Sequence, residues 1–320
     1  MTPHFLTRIL TLGLLAFSTL LVSCGSSTIN DPFRPTRVVV FGDAFSDLTA
    51  SNQYTVNDSS TNNWASQIAA SYGVSVVSYA KGNARITNAT GAGGVAVTSV
   101  TAQVAGFAYQ AGDLVVINAG FSDLIAEAAG TNTIANAESY GTALGNLVRS
   151  MVANGAKHIV VTNVYDLSKT PAALLTGTAA TNLAVQNSNN RGVLVTAFND
   201  KLKSNLGSSS PSYIGDNVRL VDLEAYFNLI RASSTAYSFV DTTTVTCNSN
   251  DATAAPGGIG IGTNQMNSKS CTTANATGGA ATTYTTPAYN NYVFADAVYP
   301  TPAFHRAWGS YVYAQLIARW

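Results

Sequence analysis

The feature that most constrains the fold is a regular alternation along the chain between short β-branched runs and longer segments of helical pattern. The short runs lie at 37–41, 74–78, 113–118, 158–163 and 218–223. The helix-like segments lie at 63–72, 135–153, 191–206 and 303–318. This alternation is typical of parallel strands joined by crossover helices, and runs that are apolar throughout suit a sheet covered on both faces. The sequence therefore predicts an α/β fold around a parallel sheet of about five strands.

The composition excludes some classes of protein. Of the 320 residues, 46% are apolar and 10% are charged, with 16 basic and 16 acidic side chains. This is enough apolar chain to bury a large core, and zero net charge leaves no basic surface to neutralise the phosphates of a nucleic acid. After residue 22, no apolar run reaches the ~18 to 20 residues that a membrane-spanning helix needs. We therefore expect an ordered globular domain that does not bind nucleic acid.

The N-terminus has the layout of an export signal. Residues 1–8 carry positive charge, residues 9–22 are almost continuously apolar, and small residues surround Cys24. This is the pattern of a secretory signal peptide. Residues 21–24, Leu-Val-Ser-Cys, further resemble the lipobox of bacterial lipoproteins, which implies cleavage before Cys24 and a lipid on its sulfur. The alternative is an ordinary cleaved signal that happens to contain a cysteine.

The lipoprotein interpretation divides the chain into three parts. A signal peptide occupies 1–23, a lipidated tether 24–35, and a single domain 36–320. The tether is short and flexible in composition, so it would hold the domain off a membrane surface. We therefore expect a lipid-anchored protein of the bacterial cell envelope, in the outer membrane.

Cys247 and Cys271 lie in a long polar segment at 233–290 that interrupts the alternation. We interpret this segment as an insertion or lid over the carboxyl ends of the strands, not as a second domain. In an oxidising compartment the two cysteines are expected to form a disulfide that closes one loop, the alternative being two unpaired thiols. Two cysteines without a nearby histidine supply too few ligands for a metal, so no metal site is predicted.

The first predicted strand runs directly into a recognisable motif. The residues are VVVFGDAFSD, and they resemble the first block of the GDSL, or SGNH, hydrolases, whose pattern here is F-G-D-S-x-S-D. Four further blocks resemble those of the family in the same order, at 79–87, 113–123, 196–200 and 293–305. The resemblance implies a three-layer α/β/α sandwich of the flavodoxin-like kind, an ester hydrolase site and no cofactor. It also implies that the backbone N–H of Gly82 donates to the oxyanion.

The sequence departs from the family at three positions that carry the chemistry. The nucleophilic serine corresponds to Ala44, the histidine base to Tyr299, and the asparagine that donates to the oxyanion to Ser122. Only Gly82 and Asp296 remain of the family's set. A methyl group cannot attack a carbonyl, and a phenol with an ordinary pKa of ~10 is a weak base at neutral pH. In serine hydrolases, loss of either the nucleophile or the base costs ~10⁶ in turnover, which predicts a catalytically silent relative.

Other residues are candidates to restore activity. Ser46 and Ser122 are candidates for a substitute nucleophile, and His305 is a candidate for a displaced base. The alternatives are that Ser46 caps a helix and that His305 has a structural role. A pair of carboxylates can also act as acid and base in the cleavage of glycosides. The alternative is that these side chains only support the structure of the loops. The carboxylates in question are those of Asp43, Asp47, Asp123 and Asp296.

Three functional hypotheses follow. In the first, the protein is a surface-anchored pseudo-esterase that binds an acylated glycan, a lipid or other acylated small molecule, or an envelope protein, without cleaving it. In the second, it is an active carboxylester hydrolase with a remodelled site that uses Ser46 or Ser122 and His305. In the third, it is a structural envelope lipoprotein whose groove has lost its function. The fold alone does not distinguish them.

Overall fold

The computed structural model describes residues 32–50, 53–57, 63–207, 216–247, 268–272 and 288–320. The chain separates into two compact units, Met1–Phe33 and Arg34–Trp320, and the second contains all the strands and helices given below. The predicted signal peptide, Cys24 and the first part of the predicted tether lie outside the described residues. None of the helices in the described ranges is both long and apolar enough to cross a membrane.

The core of the fold is a parallel sheet of five strands. They are β1 (Arg37–Gly42), β2 (Ser75–Ser78), β3 (Asp113–Asn118), β4 (His158–Thr162) and β5 (Val218–Val221). Their order across the sheet is β2-β1-β3-β4-β5, which is the flavodoxin-like order. Every residue of β3 is buried, as expected of a strand covered on both faces. The α/β fold predicted from the sequence is confirmed, and each of the five predicted strands is present.

Helices flank the sheet. In chain order they are α1 (Trp64–Tyr72), α2 (Val100–Val104), α3 (Phe121–Ala129), α4 (Ile134–Ala153), α5 (Thr178–Ala184), α6 (Val193–Gly207), α7 (Leu223–Ala232) and α8 (Pro302–Ile317). Helix α4 packs against α6, and α1 packs against α8. The four helices predicted from the sequence are α1, α4, α6 and α8, and their ends agree with the prediction to within two residues.

A small second sheet lies outside the main one. Strand β6 (Asp241–Val245) pairs in parallel with β7 (Tyr292–Phe294). Strand β6 belongs to the segment predicted as an insertion, for which the sequence predicted no strand. Cys247 and Cys271, also in that segment, form the predicted disulfide. The other parts of the insertion, at 248–267 and 273–287, lie outside the described residues.

The carboxyl ends of β1 and β3 approach each other closely, and this positions the loops that follow them. Gly42 ends β1 with φ +142°, and a Cβ on it would lie 2.0 Å from the carbonyl oxygen of Asn118. Any other residue would therefore be both strained and blocked here. The side-chain amide of Gln103 pairs with the backbone of Gly42 at this end of β1. It accepts a hydrogen bond from the N–H of Gly42 and donates one to its carbonyl, each at 2.9 Å.

Candidate functional site

Asp43 joins the loop after β1 to the start of α3. One carboxylate oxygen accepts from the N–H of Phe45 at 3.1 Å, and the other accepts from the N–H of Ser122 at 3.2 Å. The side chain is fully buried, and burial raises the pKa of Asp43 to about 7. Near neutral pH this group is therefore divided between its charged and neutral forms.

Ala44 is the residue that the sequence motif matches to the family's nucleophile. It lies in the turn that follows Asp43, with 2% of its surface exposed. Two residues later, Ser46 is fully buried and its Oγ accepts a hydrogen bond from the indole Nε1 of Trp64 at 3.1 Å. The interpretation of Ser46 as a helix cap is wrong, because residues 44–46 form a turn that does not continue into a helix. The serine instead anchors the first residue of α1.

Gly82, which the sequence motif matches to the family's oxyanion donor, already has a partner within the protein. Its N–H donates to Oδ2 of Asp47 at 2.7 Å, while Oδ1 of Asp47 accepts from the N–H and hydroxyl of Thr49. The ring of Tyr54 packs so closely on Gly82 that a Cβ there would lie 2.5 Å from Tyr54 Cε2. A ligand oxyanion would have to compete with a carboxylate for this N–H group.

Ser122 and Asp123 lie in the first turn of α3 and are both buried. The N–H of Ser122 binds Asp43, as described above, whereas its hydroxyl has no hydrogen-bond partner among the described residues. The carboxylate of Asp123 accepts from the N–H of Ile86 at 3.0 Å and lies 3.5 Å from the guanidinium of Arg85. Burial raises the pKa of Asp123 to about 7, although Arg85 opposes this shift.

The carboxylate of Asp296 accepts four hydrogen bonds from other groups of the chain. Oδ1 accepts from the N–H groups of Val298 at 2.8 Å and Tyr299 at 2.6 Å. Oδ2 accepts from both the N–H and the hydroxyl of Ser268. The side chain is fully buried, and burial raises its pKa. Asp296 therefore holds the segment from the predicted insertion against the loop before α8.

Tyr299, which the sequence motif matches to the family's base, packs against other aromatic rings in the interior. It is fully buried, its ring centroid lies 5.0 Å from that of Tyr54 and 6.1 Å from that of Phe121, and its hydroxyl has no hydrogen-bond partner in the described part of the chain. Burial raises the pKa of Tyr299 well above its ordinary value. The phenol therefore stays protonated at neutral pH and cannot serve as a general base.

His305 lies in the first turns of α8 and is 1% exposed. Its ring lies 4.9 Å from that of Phe45, centroid to centroid. Burial lowers the pKa of His305 to about 3. An imidazole with this pKa is neutral at pH 7 and is a much weaker proton acceptor than an ordinary histidine.

The four carboxylates proposed as an acid–base cluster share a common environment. Each accepts a hydrogen bond from at least one backbone N–H group; they are Asp43, Asp47, Asp123 and Asp296. This pattern is typical of carboxylates that support the structure of loops, which is the alternative to a role in glycoside cleavage. Within the described ranges, no group of three or more histidine, cysteine, aspartate or glutamate side chains could hold a metal ion.

A cavity of about 340 Å³ opens beside Gly82. Its lining includes Asp47, Thr49, Tyr54, Lys81, Gly82 and Lys269, and we call it the lysine groove. The sequence analysis did not identify Lys81 or Lys269 as candidate binding residues. The signal for Lys81 was its place next to Gly82, but nothing in the sequence places Lys269 here, because 188 residues separate the two lysines.

The chain matches one family profile, and it is similar to solved structures at low identity. The sequence matches the profile described as GDSL-like Lipase/Acylhydrolase over residues 38–312. Among solved structures, it is similar to a member of the lipolytic protein G-D-S-L family from Veillonella parvula, with 11% identity and a TM-score of 0.38, over 64% of this chain and 86% of that one. It is also similar to a family two carbohydrate esterase from Clostridium thermocellum in complex with cellohexaose, with 12% identity and a TM-score of 0.42, over 89% of this chain and 64% of that one. No curated protein sequence matches the chain.

Proposed function

The chain belongs to the GDSL-like lipase/acylhydrolase family, and from this premise we propose that it is a non-hydrolytic member that binds its ligand in the lysine groove. The ligand is an acylated glycan, a lipid or other acylated small molecule, or an acylated group on an envelope protein. The protein is exported and anchored to the cell envelope through a lipid on Cys24. Because the proposed function is ligand binding without hydrolysis, it needs no cofactor.

The observation that carries this proposal is the methyl group of Ala44 where the family has its nucleophile. Without an oxygen at this position no acyl intermediate can form. Two neighbouring groups also disfavour hydrolysis. The hydroxyl of Tyr299 stays protonated, and the N–H of Gly82 donates a hydrogen bond to Asp47. Loss of the nucleophile and base together costs ~10⁶ in turnover in serine hydrolases, and loss of an oxyanion donor a further ~10² to 10³.

The contacts of the candidate substitutes disfavour the remodelled hydrolase. The hydroxyl of Ser46 accepts from the indole of Trp64, and His305 has a pKa of about 3. Ser122 is fully buried in α3. A serine nucleophile needs a base within hydrogen-bond reach that can accept its proton near neutral pH, and His305 does not meet the second condition.

The hydrolytic step is tested with the chain expressed from Gly25 onward, since Arg34–Trp320 forms a compact unit by itself. We expect no turnover of p-nitrophenyl acetate or butyrate above the spontaneous rate, and an identical result for the variant Ser46→Ala. Turnover that Ser46→Ala abolishes would overturn the proposal in favour of a remodelled hydrolase. The anchor is tested separately by fractionating cells that express the full chain, where Cys24→Ser should move the protein out of the membrane fraction.

A further inference from the structure

A second cavity, of about 460 Å³, lies between α6 and α7 beside β5. We call it the α6–α7 cavity, and its lining includes Asn163, Arg191, Asn199, Asp222, Glu224 and Ala225. Among the described residues, none lines both this cavity and the lysine groove. Part of its wall comes from the motif block at 196–200, which the proposed function does not use.

The wall of the α6–α7 cavity is polar. Eight of the ten described residues that line it have polar or charged side chains, whereas pockets for small molecules are usually mostly apolar. Three of the eight are carboxylates and two are cations, so the wall has no excess of positive charge to attract an anion. No aromatic ring is among the described lining residues. These features favour a neutral ligand that is rich in hydrogen-bonding groups.

A buried ion pair forms one part of this wall. Nε and Nη2 of Arg191 donate to the two carboxylate oxygens of Glu224, each at 2.7 Å. The side-chain amide of Asn199 donates to the same carboxylate at 2.9 Å. Glu224 and Asn199 are each 5% exposed. Because the three side chains are bonded to one another and all line the cavity, their polar groups meet at one place in its wall.

A second pair of polar side chains lies at the start of α7. The amide of Asn163 donates to Oδ1 of Asp222 at 2.8 Å, and its own oxygen accepts from the N–H groups of Leu223 and Glu224. Asn163 is 6% exposed, so these bonds hold its amide in place. The second N–H of this amide and Oδ2 of Asp222 have no hydrogen-bond partner in the described part of the chain.

The protein's own contacts leave hydrogen-bonding capacity in the ion pair as well. A guanidinium has five N–H donors, and Arg191 uses two of them on Glu224 and none on other described residues. Stability alone gives little reason for such a pair, because replacing a buried ion pair by apolar residues is often neutral or stabilising. A role in recognition accounts for a buried and bidentate ion pair in the wall of a cavity.

We propose that the α6–α7 cavity binds a neutral sugar ring and recognises it through two adjacent hydroxyl groups. A hydroxyl both donates and accepts, so one of the two can donate to a carboxylate while its neighbour accepts from an N–H group. The wall presents carboxylates that are already bonded to such N–H groups, with donor–acceptor distances of 2.7 to 2.9 Å. This spacing is about that of neighbouring hydroxyl oxygens on a ring. The site is additional to the lysine groove and does not depend on the proposed function.

The test compares rings that differ in their hydroxyl groups. Ligand-observed NMR of the chain from Gly25 onward would use the methyl α-glycosides of D-glucose, D-mannose and D-galactose. Tetrahydropyran-4-ol, a ring of the same size with a single hydroxyl, is the control ligand. We expect at least one glycoside to bind at 20 mM and the control ligand not to bind. Inorganic phosphate at the same concentration should not displace the glycoside.

A blocking variant locates the site. Ala225 is exposed on α7 and lines the cavity, so Ala225→Trp should fill the cavity and abolish glycoside binding without disturbing the core. Ala232→Trp is the matched control, since Ala232 is exposed on the same helix and is not among the lining residues. It should leave the affinity unchanged.

A second variant tests the ion pair. Arg191→Lys keeps the charge beside Glu224 but loses the planar fork, so it should weaken the glycoside about tenfold. Arg37→Lys is the control, because Arg37 makes the same two-bond contact with Asp113 at the other end of the sheet. It should have no effect on binding. Circular dichroism and thermal unfolding would confirm that each variant is folded.

Four results would overturn this proposal. They are no binding of any glycoside at 20 mM, equal binding of tetrahydropyran-4-ol, displacement by phosphate, and unchanged affinity in Ala225→Trp. The last of these would mean that the glycoside binds elsewhere on the protein. None of the four bears on hydrolysis or on the lysine groove, because the described residues that line the two cavities differ.

Discussion

At the scale of single residues, three of the positions that the sequence motif matches to the family's catalytic set take part in local structural contacts. Tyr299 packs against Tyr54 where the base would stand, and Asp296 binds Ser268 where it would have oriented a histidine. The N–H of Gly82 is held by Asp47. The sequence identified the lost positions, because the motif fixes their order, but it could not show these new partners, which come from distant segments of the chain.

Asp43 should make stability depend on pH. Its pKa of about 7 in the folded protein exceeds the ordinary ~3.9, so its contribution to stability is complete below about pH 4 and is lost as pH rises through about 7. Asp43→Asn should therefore reduce the decline in the free energy of unfolding between pH 5 and 8, by an amount on the order of 3 kcal/mol at most. Urea unfolding of both proteins across this range measures the difference, and the contribution of His305 cancels because both retain it.

Asp200→Asn is the control for this measurement, because Asp200 is exposed on α6. We expect it to leave the pH profile of the wild type unchanged. An Asp43→Asn profile parallel to that of the wild type would show that the buried carboxyl does not take up a proton on folding.

Tyr299 should tolerate loss of its hydroxyl but not loss of its ring. Because the hydroxyl is buried and without a partner among the described residues, Tyr299→Phe should be neutral or stabilising by about 1 kcal/mol. Tyr299→Ala leaves a cavity and should cost about 3 to 5 kcal/mol. Denaturant unfolding of the two variants measures both effects. A cost above about 1 kcal/mol for Tyr299→Phe would mean that the hydroxyl makes a hydrogen bond.

At the scale of elements, the sequence predicted those whose pattern is local. The five strands are short runs rich in β-branched residues, and α1, α4, α6 and α8 are long enough to show helical periodicity. The helices α2 and α5 were missed because five and seven residues are too short to show a period. The helices α3 and α7 follow strands almost directly, so their apolar residues merge with those of the strands. Strand β6 is polar, and its pairing with β7 depends on residues about 50 positions away.

The Cys247–Cys271 disulfide should contribute measurably to stability. It joins residues separated by 24 positions, a loop for which the chain-entropy relation gives about 3 kcal/mol. The pair of changes Cys247→Ser and Cys271→Ser should lower the free energy of unfolding by this amount and increase hydrogen exchange at the amide of Ser268. Stability equal to that of the wild type, with Ser268 equally protected, would show that the segment is held without the bond.

At the scale of the whole molecule, the parallel sheet of the family is present, and several segments of the chain meet at the candidate site. The turn after β1, the start of α3, the loop before α8 and the segment around Ser268 all meet at the carboxyl edge of the sheet. Restoring the family's residues therefore requires more than the three positions at which the motif differs. The partner contacts that replaced them must be released as well.

This can be tested by reconstruction. The triple variant Ala44→Ser, Ser122→Asn and Tyr299→His restores the nucleophile, the oxyanion donor and the base. In this variant the hydroxyl of Ser268 still donates a hydrogen bond to the carboxylate of Asp296. Because the carboxylate that orients the base is worth ~10⁴ in a serine triad, adding Ser268→Ala should raise p-nitrophenyl acetate turnover at least tenfold over the triple variant. Equal rates for the two variants would show that Ser268 does not hinder the restored histidine.

The absence of a nucleophile is tested most directly by the intact mass of the wild-type protein after exposure to a fluorophosphonate probe. A serine activated for ester hydrolysis forms a covalent adduct with this reagent, whereas the methyl of Ala44 cannot. We predict an unchanged mass for the wild type, under conditions in which an active serine hydrolase in the same tube is fully labelled. A wild-type adduct of one probe per chain, mapped to Ser46 or Ser122, would contradict the account.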